Sequence, residues 1–174
     1  MHMSAAPNWV PVEEYLHSIY HPDCDYVDGR LVERNGGELP HAKAQRRALI
    51  YFYEREKRWN TFAIQECRLQ VSPTRYRVPD VCVILGPEPD GNILTAPPFL
   101  CIEVLSPEDR LSRMQQKIDD YLRFGVRYVW VIDPYQRRAW IHTADAIREA
   151  QDGLLRTEDP EFIVPLAEIL CQSA

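Results

Sequence analysis

The chain has no long hydrophobic run. Nothing in its 174 residues approaches the roughly 18 consecutive apolar residues of a membrane-crossing helix. No charged-then-apolar leader opens it, so we expect a cytoplasmic protein with no membrane partner. Paired cysteines are missing as well. Cys24, Cys67, Cys82, Cys101 and Cys171 contain no CxxC spacing, which indicates neither a zinc site nor a disulfide framework. Cys67, Cys82 and Cys101 fall in strand-like runs, where a reduced cysteine acts as a small hydrophobe. There is no excess of positive charge: 20 Lys and Arg against 26 Asp and Glu give a net charge of −6. That balance argues against a nucleic-acid partner only until its distribution is considered. From Ala144 onward seven acids face Arg148 and Arg156, so the rest of the chain is near neutral and its basic residues are clustered. Local patches decide phosphate contacts, whereas net charge mainly sets solubility and steering. Internal repeats and low-complexity tracts are absent.

What is present is a globular composition, 45% hydrophobic and 26% charged, at a length that suits one ordinary domain rather than two. We expect that domain to span 1–174, with residues 1–10 and 171–174 as frayed ends. Two nearly continuous apolar runs stand out, residues 78–85 and 99–106. Each holds one carboxylate in its middle, Asp80 in the first and Glu103 in the second. An ionised carboxylate taken out of water costs several kcal/mol unless a counter-charge, a proton or a metal compensates it. The turn-rich segment 86–92 joins the runs, which makes them neighbours in one sheet and brings Asp80 to Glu103. Like charges at that spacing stay ionised together only with a cation between them. The pattern therefore predicts a divalent-metal site built by Asp80 and Glu103.

Taken in order, Val12, Tyr15, Leu16, Ile19 and Tyr20 predict an amphipathic helix over 12–20 that ends near Pro22. His17 and His21 have a metal-compatible spacing, but with no acid between them two solvated histidines are the better reading. Residues 25–33 predict a hairpin turning at Asp28-Gly29. Its second arm delivers Glu33 just before a Gly36-Gly37 break, as either a third carboxylate at the metal or a surface acid. A helix over 40–59 packs Ala44, Ala48, Tyr51, Phe52, Arg55 and Trp59 along one side. Its other faces carry Lys43, Arg46, Arg47, Lys57 and Arg58, either a solvated surface or the first docking place of a phosphate-lined partner. Residues 61–71 predict a strand, and a turn at Ser72-Pro73 leads through Arg75 and Arg77 into the Asp80 strand. After Ser106-Pro107 a helix over 108–124, opened by acids and stopped by Gly125, aligns Leu111, Met114, Ile118, Tyr121 and Leu122. Arg110, Arg113 and Lys117 flank that stripe, where a lysine can lay its stem on the core and present its ammonium to a cleft. Strands over 127–132 and 138–142 form a hairpin about Asp133-Pro134. Beyond Thr143 an acidic, irregular segment ends in a short apolar stretch over 162–170.

The order from His41 is helix, three strands, helix, strand. Asp80 follows Pro79 on the second strand, Glu103 lies on the third and Lys117 on the next helix. In this the sequence resembles the PD-(D/E)xK nuclease superfamily, and more closely a bacterial restriction-endonuclease family long catalogued as a domain of unknown function. The matching pieces are Asp28-Gly29-Arg30-Leu31-Val32-Glu33, His41, Val78-Pro79-Asp80-Val81, Glu103-Val104-Leu105-Ser106-Pro107, Lys117 with Tyr121, Gly125-Val126 and residues 128–134. Together they cover roughly 26–170.

The resemblance implies an α/β (α+β) fold of the restriction-endonuclease type. Its αβββαβ core holds a mixed central sheet flanked by helices, after an N-terminal helix and hairpin. It implies a hydrolase, a metal-dependent endonuclease acting on the phosphodiester bonds of DNA with Mg2+ or Mn2+. Asp80 and Glu103 would be direct metal ligands, and Glu33 would either act behind them, holding the groups that bind the metal, or bind a second metal. Lys117 would orient or help deprotonate the water or stabilise the developing charge, and His41 would hydrogen-bond Glu33 or contact phosphate. Arg46, Arg47, Arg75, Arg77 and Arg110 would contact backbone phosphates, which positions a strand without reading its sequence. A homodimer is expected, with the Trp130 to Trp140 hairpin covering the partner copy.

Two positions depart from the pattern. The superfamily's lysine, two residues after the second carboxylate, falls on Leu105, and Arg113 stands where relatives often carry an acid shortly before Lys117. They motivate an alternative: a nuclease-fold module that binds nucleic acid or a protein partner without cutting. A glycosidase-like acid pair finds no support, because the motif order offers no open sugar cleft with aromatic platforms.

Overall fold

In the computed structural model, which describes residues 9–34 and 37–170, the chain starts with helix α1 (Val12–His17) and the hairpin of β1 (Asp25–Val27) and β2 (Arg30–Val32). The hairpin turns at Asp28 and Gly29, whose φ angles of 48° and 89° are the left-handed pair that a two-residue type I′ turn requires. Most of the expected frayed ends lie outside the described residues, as do Gly36 and Cys171. Val10, which is described, is tied down, its N–H donating to the Gly29 carbonyl at 2.9 Å. The chain continues as α2 (Leu39–Tyr53), α3 (Glu56–Trp59), β3 (Thr61–Gln65), β4 (Leu69–Ser72), β5 (Arg75–Arg77), β6 (Val81–Leu85) and β7 (Leu100–Val104). It ends with α4 (Leu111–Phe124), β8 (Tyr128–Asp133), β9 (Arg138–His142), β10 (Ile147–Glu149), β11 (Leu154–Arg156), β12 (Ile163–Pro165) and α5 (Leu166–Leu170).

The central sheet has six strands in the order β10-β9-β8-β7-β6-β3. β7 and β8 run parallel and the other ladders antiparallel, so the sheet is mixed, as expected. α2, β3, β6, β7, α4 and β8 supply the anticipated αβββαβ order. Strand side chains alternate between faces, and here the alternation sorts two cores. Val81, Val83, Ile102, Trp130 and Ile132 pack with Ala44, Ala48 and Phe52 of α2 and Ile169 of α5. Cys82, Cys101, Val129 and Val131 pack with Ile118 and Tyr121 of α4. Phe52, Leu100 and Ile102 are fully buried, and each such side chain contributes about 1.5–3 kcal/mol. Asp80 and Glu103 fall in step with Cys82 and Cys101, so they belong to the α4 face.

Several boundaries differ from expectation for local reasons. α1 stops at His17 because Ser18 is extended (φ −100°, ψ 149°), and neither exposed histidine is part of a metal-holding group among the described residues. The 40–59 helix breaks at Arg55, whose guanidinium leaves the core to stack 3.7 Å over the Tyr51 ring while donating to the Tyr51 carbonyl at 2.8 Å. The 61–71 strand splits at Glu66, whose φ of 50° turns the chain out of the central sheet. β4 then joins β5 in a second sheet, order β2-β1-β5-β4, which packs Tyr26 and Tyr76 against Tyr15. α4 begins at Leu111, not 108, with Leu111 itself 86% exposed and no acid in its first turn. Beyond Thr143 the chain is regular: β10 extends the main sheet, β11 and β12 pair, and Leu155, Phe162, Val164 and Ile169 enter the main core. Trp130 is fully buried beside Phe52 and so cannot cover a partner copy. Cys24, Cys67, Cys82 and Cys101 are free. β3 is an outer strand, and the N–H of its Ala63 is taken by Glu56 Oε1 at 2.7 Å. Among the described residues no helix is long and apolar enough to cross a membrane.

Candidate active site

The ladder pairing Val81 with Ile102, continued by one residue, sets Asp80 opposite Glu103. Opposite residues of an antiparallel pair share a face with their Cβ atoms about 4.5–5.5 Å apart. The sequence expectation that these acids meet therefore holds, and both are buried, 2% and 3% exposed. The cations beside them are side chains. Asp80 Oδ1 accepts from Arg34 Nη2 at 2.5 Å, with His41 Nε2 3.6 Å from the same oxygen, and Oδ2 accepts the Val104 N–H at 2.7 Å. Glu103 Oε2 accepts from Lys117 Nζ at 2.8 Å and Oε1 from the Tyr121 hydroxyl at 2.6 Å. Lys117 also donates to the Val78 carbonyl at 3.0 Å. This corrects the premise that only a divalent cation makes the pair tolerable, because Arg34 and Lys117 already supply the counter-charge.

The two carboxyls sit in different electrostatic surroundings. Burial alone would raise Asp80, but the His41 contact and the charges of Lys117 and Arg34 outweigh it and hold its carboxyl below the ordinary value. Burial pushes Glu103 up to about 7, with Asp80 adding to the rise and Lys117 and Tyr121 pulling against it. Burial opposes the charge on His41, yet Asp80 wins and the imidazole pKa is raised. Burial likewise works against the Lys117 ammonium, and Asp25 and Glu103 reverse it. His41 Nδ1 meets Ser106 Oγ at 3.2 Å, which fixes the ring.

α4 carries Lys117 and is pinned by arginines of β5. Asp120 Oδ2 accepts from Arg77 Nε at 2.8 Å and Nη2 at 2.6 Å, and its Oδ1 from Arg75 Nη1 at 2.9 Å. Arg77 also reaches Asp25 Oδ2 at 3.0 Å, while Asp25 Oδ1 accepts the Val78 N–H at 2.8 Å. Arg75 is further held by Asp28. These bonds remove both arginines from the expected phosphate contacts: Arg77 is 3% exposed, and the guanidinium of Arg75 is committed to two acids. Arg46 and Arg110 are exposed and Arg47 half-buried, so they remain on the surface.

A cavity of about 90 Å³ lies over the pair, lined by Glu33, Arg34, His41, Asp80, Glu103 and Lys117, with exposed Arg110 and Arg113 also facing it. That is room for a few waters. Glu33 is exposed, and among the described residues no three His, Cys, Asp or Glu side chains are placed to hold a metal together. Glu33 is thus at the cavity but not brought in as a third ligand. The donor chemistry of Asp80 and Glu103 suits Mg2+ or Mn2+, since both ions take hard oxygens, keep waters and are commonly bound through one or two carboxylates. Asp80 Oδ2 and both Glu103 oxygens each accept one hydrogen bond and keep a second lone pair, whereas Asp80 Oδ1 faces both Arg34 and His41. At Asp80 Oδ1, however, an ion takes its place only when the Arg34 guanidinium gives way.

Arg34, Asp25, Asp120 and Tyr121 were not among the site residues expected from sequence. Tyr121 carried a signal, lying four residues after Lys117 on the same helical face. Asp120 did too, as an acid beside a buried stripe. Arg34 sits outside any periodic element and gave none.

The family model described as "Putative restriction endonuclease", Uma2, matches residues 12–167. The chain belongs to the Uma2 family. The matched span of this Uma2 chain includes every residue lining the acid pair. A solved structure from Anabaena variabilis ATCC 29413, described as a "putative nuclease belonging to DUF820", is similar at 19% identity and a TM-score of 0.77. The similarity covers 91% of this chain and 96% of that one. That likeness shows the restriction-endonuclease-like fold, and family membership supports a nuclease function. A comparison with curated proteins gave no match.

Proposed function

We propose that this Uma2 chain is a metal-dependent endonuclease that hydrolyses DNA phosphodiesters. The observation that carries the reading is the ammonium of Lys117, 2.8 Å from Glu103 Oε2, beside the paired Asp80 in one cavity. It answers the departure at Leu105: a lysine from the next helix reaches the carboxylate that the superfamily's own lysine would serve. Asp80 and Glu103 would hold Mg2+ or Mn2+. When bound, such an ion lowers the pKa of a coordinated water and neutralises charge on the phosphoryl oxygens. Lys117 bridges Glu103 and the Val78 carbonyl, which leaves its third N–H to orient a water or a phosphoryl oxygen. Tyr121 holds the other oxygen of Glu103 and so fixes the carboxylate plane. His41, fixed by Ser106, keeps a polar contact on Asp80. Arg110 and Arg113 at the cavity, with Arg46 and Arg47 on α2, are the cations we assign to backbone phosphates. We place the reaction in the cytoplasm and expect a homodimer, which gel filtration tests directly.

The deciding experiment is nicking of supercoiled plasmid with Mg2+ or Mn2+ against EDTA, using the parent, Asp80→Asn and Lys117→Met. Metal-dependent nicking lost in both variants supports the reading; equal nicking by Asp80→Asn ends it. The alternative, a module that binds nucleic acid without cutting, is favoured by one observation: Arg34 and Lys117 already neutralise both acids. That module would show salt-sensitive DNA affinity in EDTA and no cleavage under any metal.

A further inference from the structure

Arg34 is a cation at the candidate site that the chemistry above does not use. Its guanidinium reaches two carboxylates at once, with Nη2 2.5 Å from Asp80 Oδ1 and Nη1 3.6 Å from Glu66 Oε1. The two acids differ in surroundings: the side chain of Asp80 is 3% exposed and that of Glu66 is 50% exposed. Without a metal, Asp80 needs a counter-charge because it is buried, and Arg34 gives it one. Glu66, half in water, has no comparable need.

The second carboxylate is held close to the first. Gln45, buried on α2, donates through Nε2 to Glu66 Oε1 at 3.1 Å and to the Asp80 carbonyl at 3.2 Å. Glu66 itself sits at the left-handed turn ending β3, and its backbone N–H is bonded to the Pro79 carbonyl at 3.2 Å. A divalent ion on Asp80 Oδ1 and the Arg34 guanidinium are like charges seeking one lone-pair region, so binding one expels the other. Glu66 Oε1 is the anion already in range to receive the expelled group.

We propose that Arg34 is a built-in competitor for the metal, occupying Asp80 in the metal-free protein and transferring to Glu66 when a divalent cation binds. The proposal rests on the metal-dependent reading of the site and adds a residue that sets how much metal the site requires. Arg34 is a positioning residue in this scheme, acting through Asp80 and not on substrate.

Calorimetric titration of Mn2+ into the full-length parent, Arg34→Gln, Glu66→Gln and the double variant tests it without measuring cleavage. Arg34→Gln is expected to bind Mn2+ about tenfold tighter, a common size for coupling between two ligands of one protein. Glu66→Gln, changed at a half-exposed position, is expected to bind more weakly than the parent because Arg34 then has only Asp80. The double variant is expected to match Arg34→Gln, since Glu66 matters only through the arginine. Unchanged or weaker binding by Arg34→Gln, with a parent that does bind, overturns the exchange and leaves the metal-dependent reading standing. A double variant much weaker than Arg34→Gln also overturns it, because Glu66 would then be acting as a ligand. Absence of Mn2+ binding in every protein overturns the exchange and the metal-dependent reading together.

Discussion

Arg77 and Asp120 form a buried ion pair in which two nitrogens of the guanidinium grip one carboxylate oxygen, at 2.8 and 2.6 Å. The pair ties β5 of the smaller sheet to α4, one turn from Lys117. Removing one partner of a buried pair leaves the other side short of counter-charge: here Asp25 loses its arginine and Asp120 keeps only Arg75. Arg77→Ala is therefore expected to lose about 3–5 kcal/mol of stability, read from the urea midpoint at unchanged slope. A loss below about 1 kcal/mol would mean that Arg75, already on Asp120 Oδ1, holds α4 by itself and that the Arg77 link is redundant.

The acid pair was legible in the sequence, and its partners were not. Asp80 and Glu103 announce themselves because a charge inside an apolar run breaks the local pattern, and the turn-rich connection over 86–99 returns the chain as an antiparallel neighbour that brings them together. Arg75 and Arg77 look like surface cations in a string of letters. The burial of Arg77 and the pairing of Arg75 depend on Asp25 and Asp120, which lie 43 to 52 residues away and carry no pairing code in sequence. The split of the 61–71 strand was invisible for a related reason: Glu66 adopts a left-handed φ that no glycine or asparagine advertises. Lys117 was placed on the correct helix, but its depth was underestimated, since a helical wheel gives direction and not what covers the residue.

Lys117→Met keeps the stem and removes the ammonium. The charge of Lys117 lowers the Glu103 pKa, so its loss drives that carboxyl above about 7 and lets it take a proton. The fold is expected to survive with a lowered Tm. Nicking is expected to fall about 100-fold or more, the usual scale for one charged donor aimed at the reacting oxygens. Retained nicking at full rate would remove Lys117 from the chemistry.

His142 gives the molecule a titration remote from the acid pair. It is buried, and burial lowers its pKa from 6.5, with Asp119 opposing weakly. The unfolded chain therefore takes up its proton first as pH falls. The stability His142 contributes is complete above pH 6.5 and shrinks as pH drops toward the lowered folded value. His142→Gln should lose this component, so the Tm gap between parent and variant is expected to narrow below pH 6.5. A gap that does not change with pH would show that the imidazole titrates alike in both states.

Phosphate contacts make affinity salt-dependent, with a slope near −0.9 in log K against log salt for each phosphate neutralised on duplex DNA. Arg46→Ala with Arg110→Ala is expected to flatten that slope by about 1–2 in fluorescence anisotropy titrations over NaCl. Arg75→Gln, whose guanidinium is already committed to Asp28 and Asp120, is expected to leave it unchanged.

The Glu56 carboxylate that caps Ala63 also guards the edge of the sheet on which it sits. An unguarded outer strand is a template on which another chain can continue the ladder. Along β3 that continuation is barred at its midpoint, because an incoming backbone would first have to evict an anion from the spot its own carbonyl needs. Ala63 therefore offers no free N–H to an added strand, and lateral growth along β3 meets an anion at its middle residue.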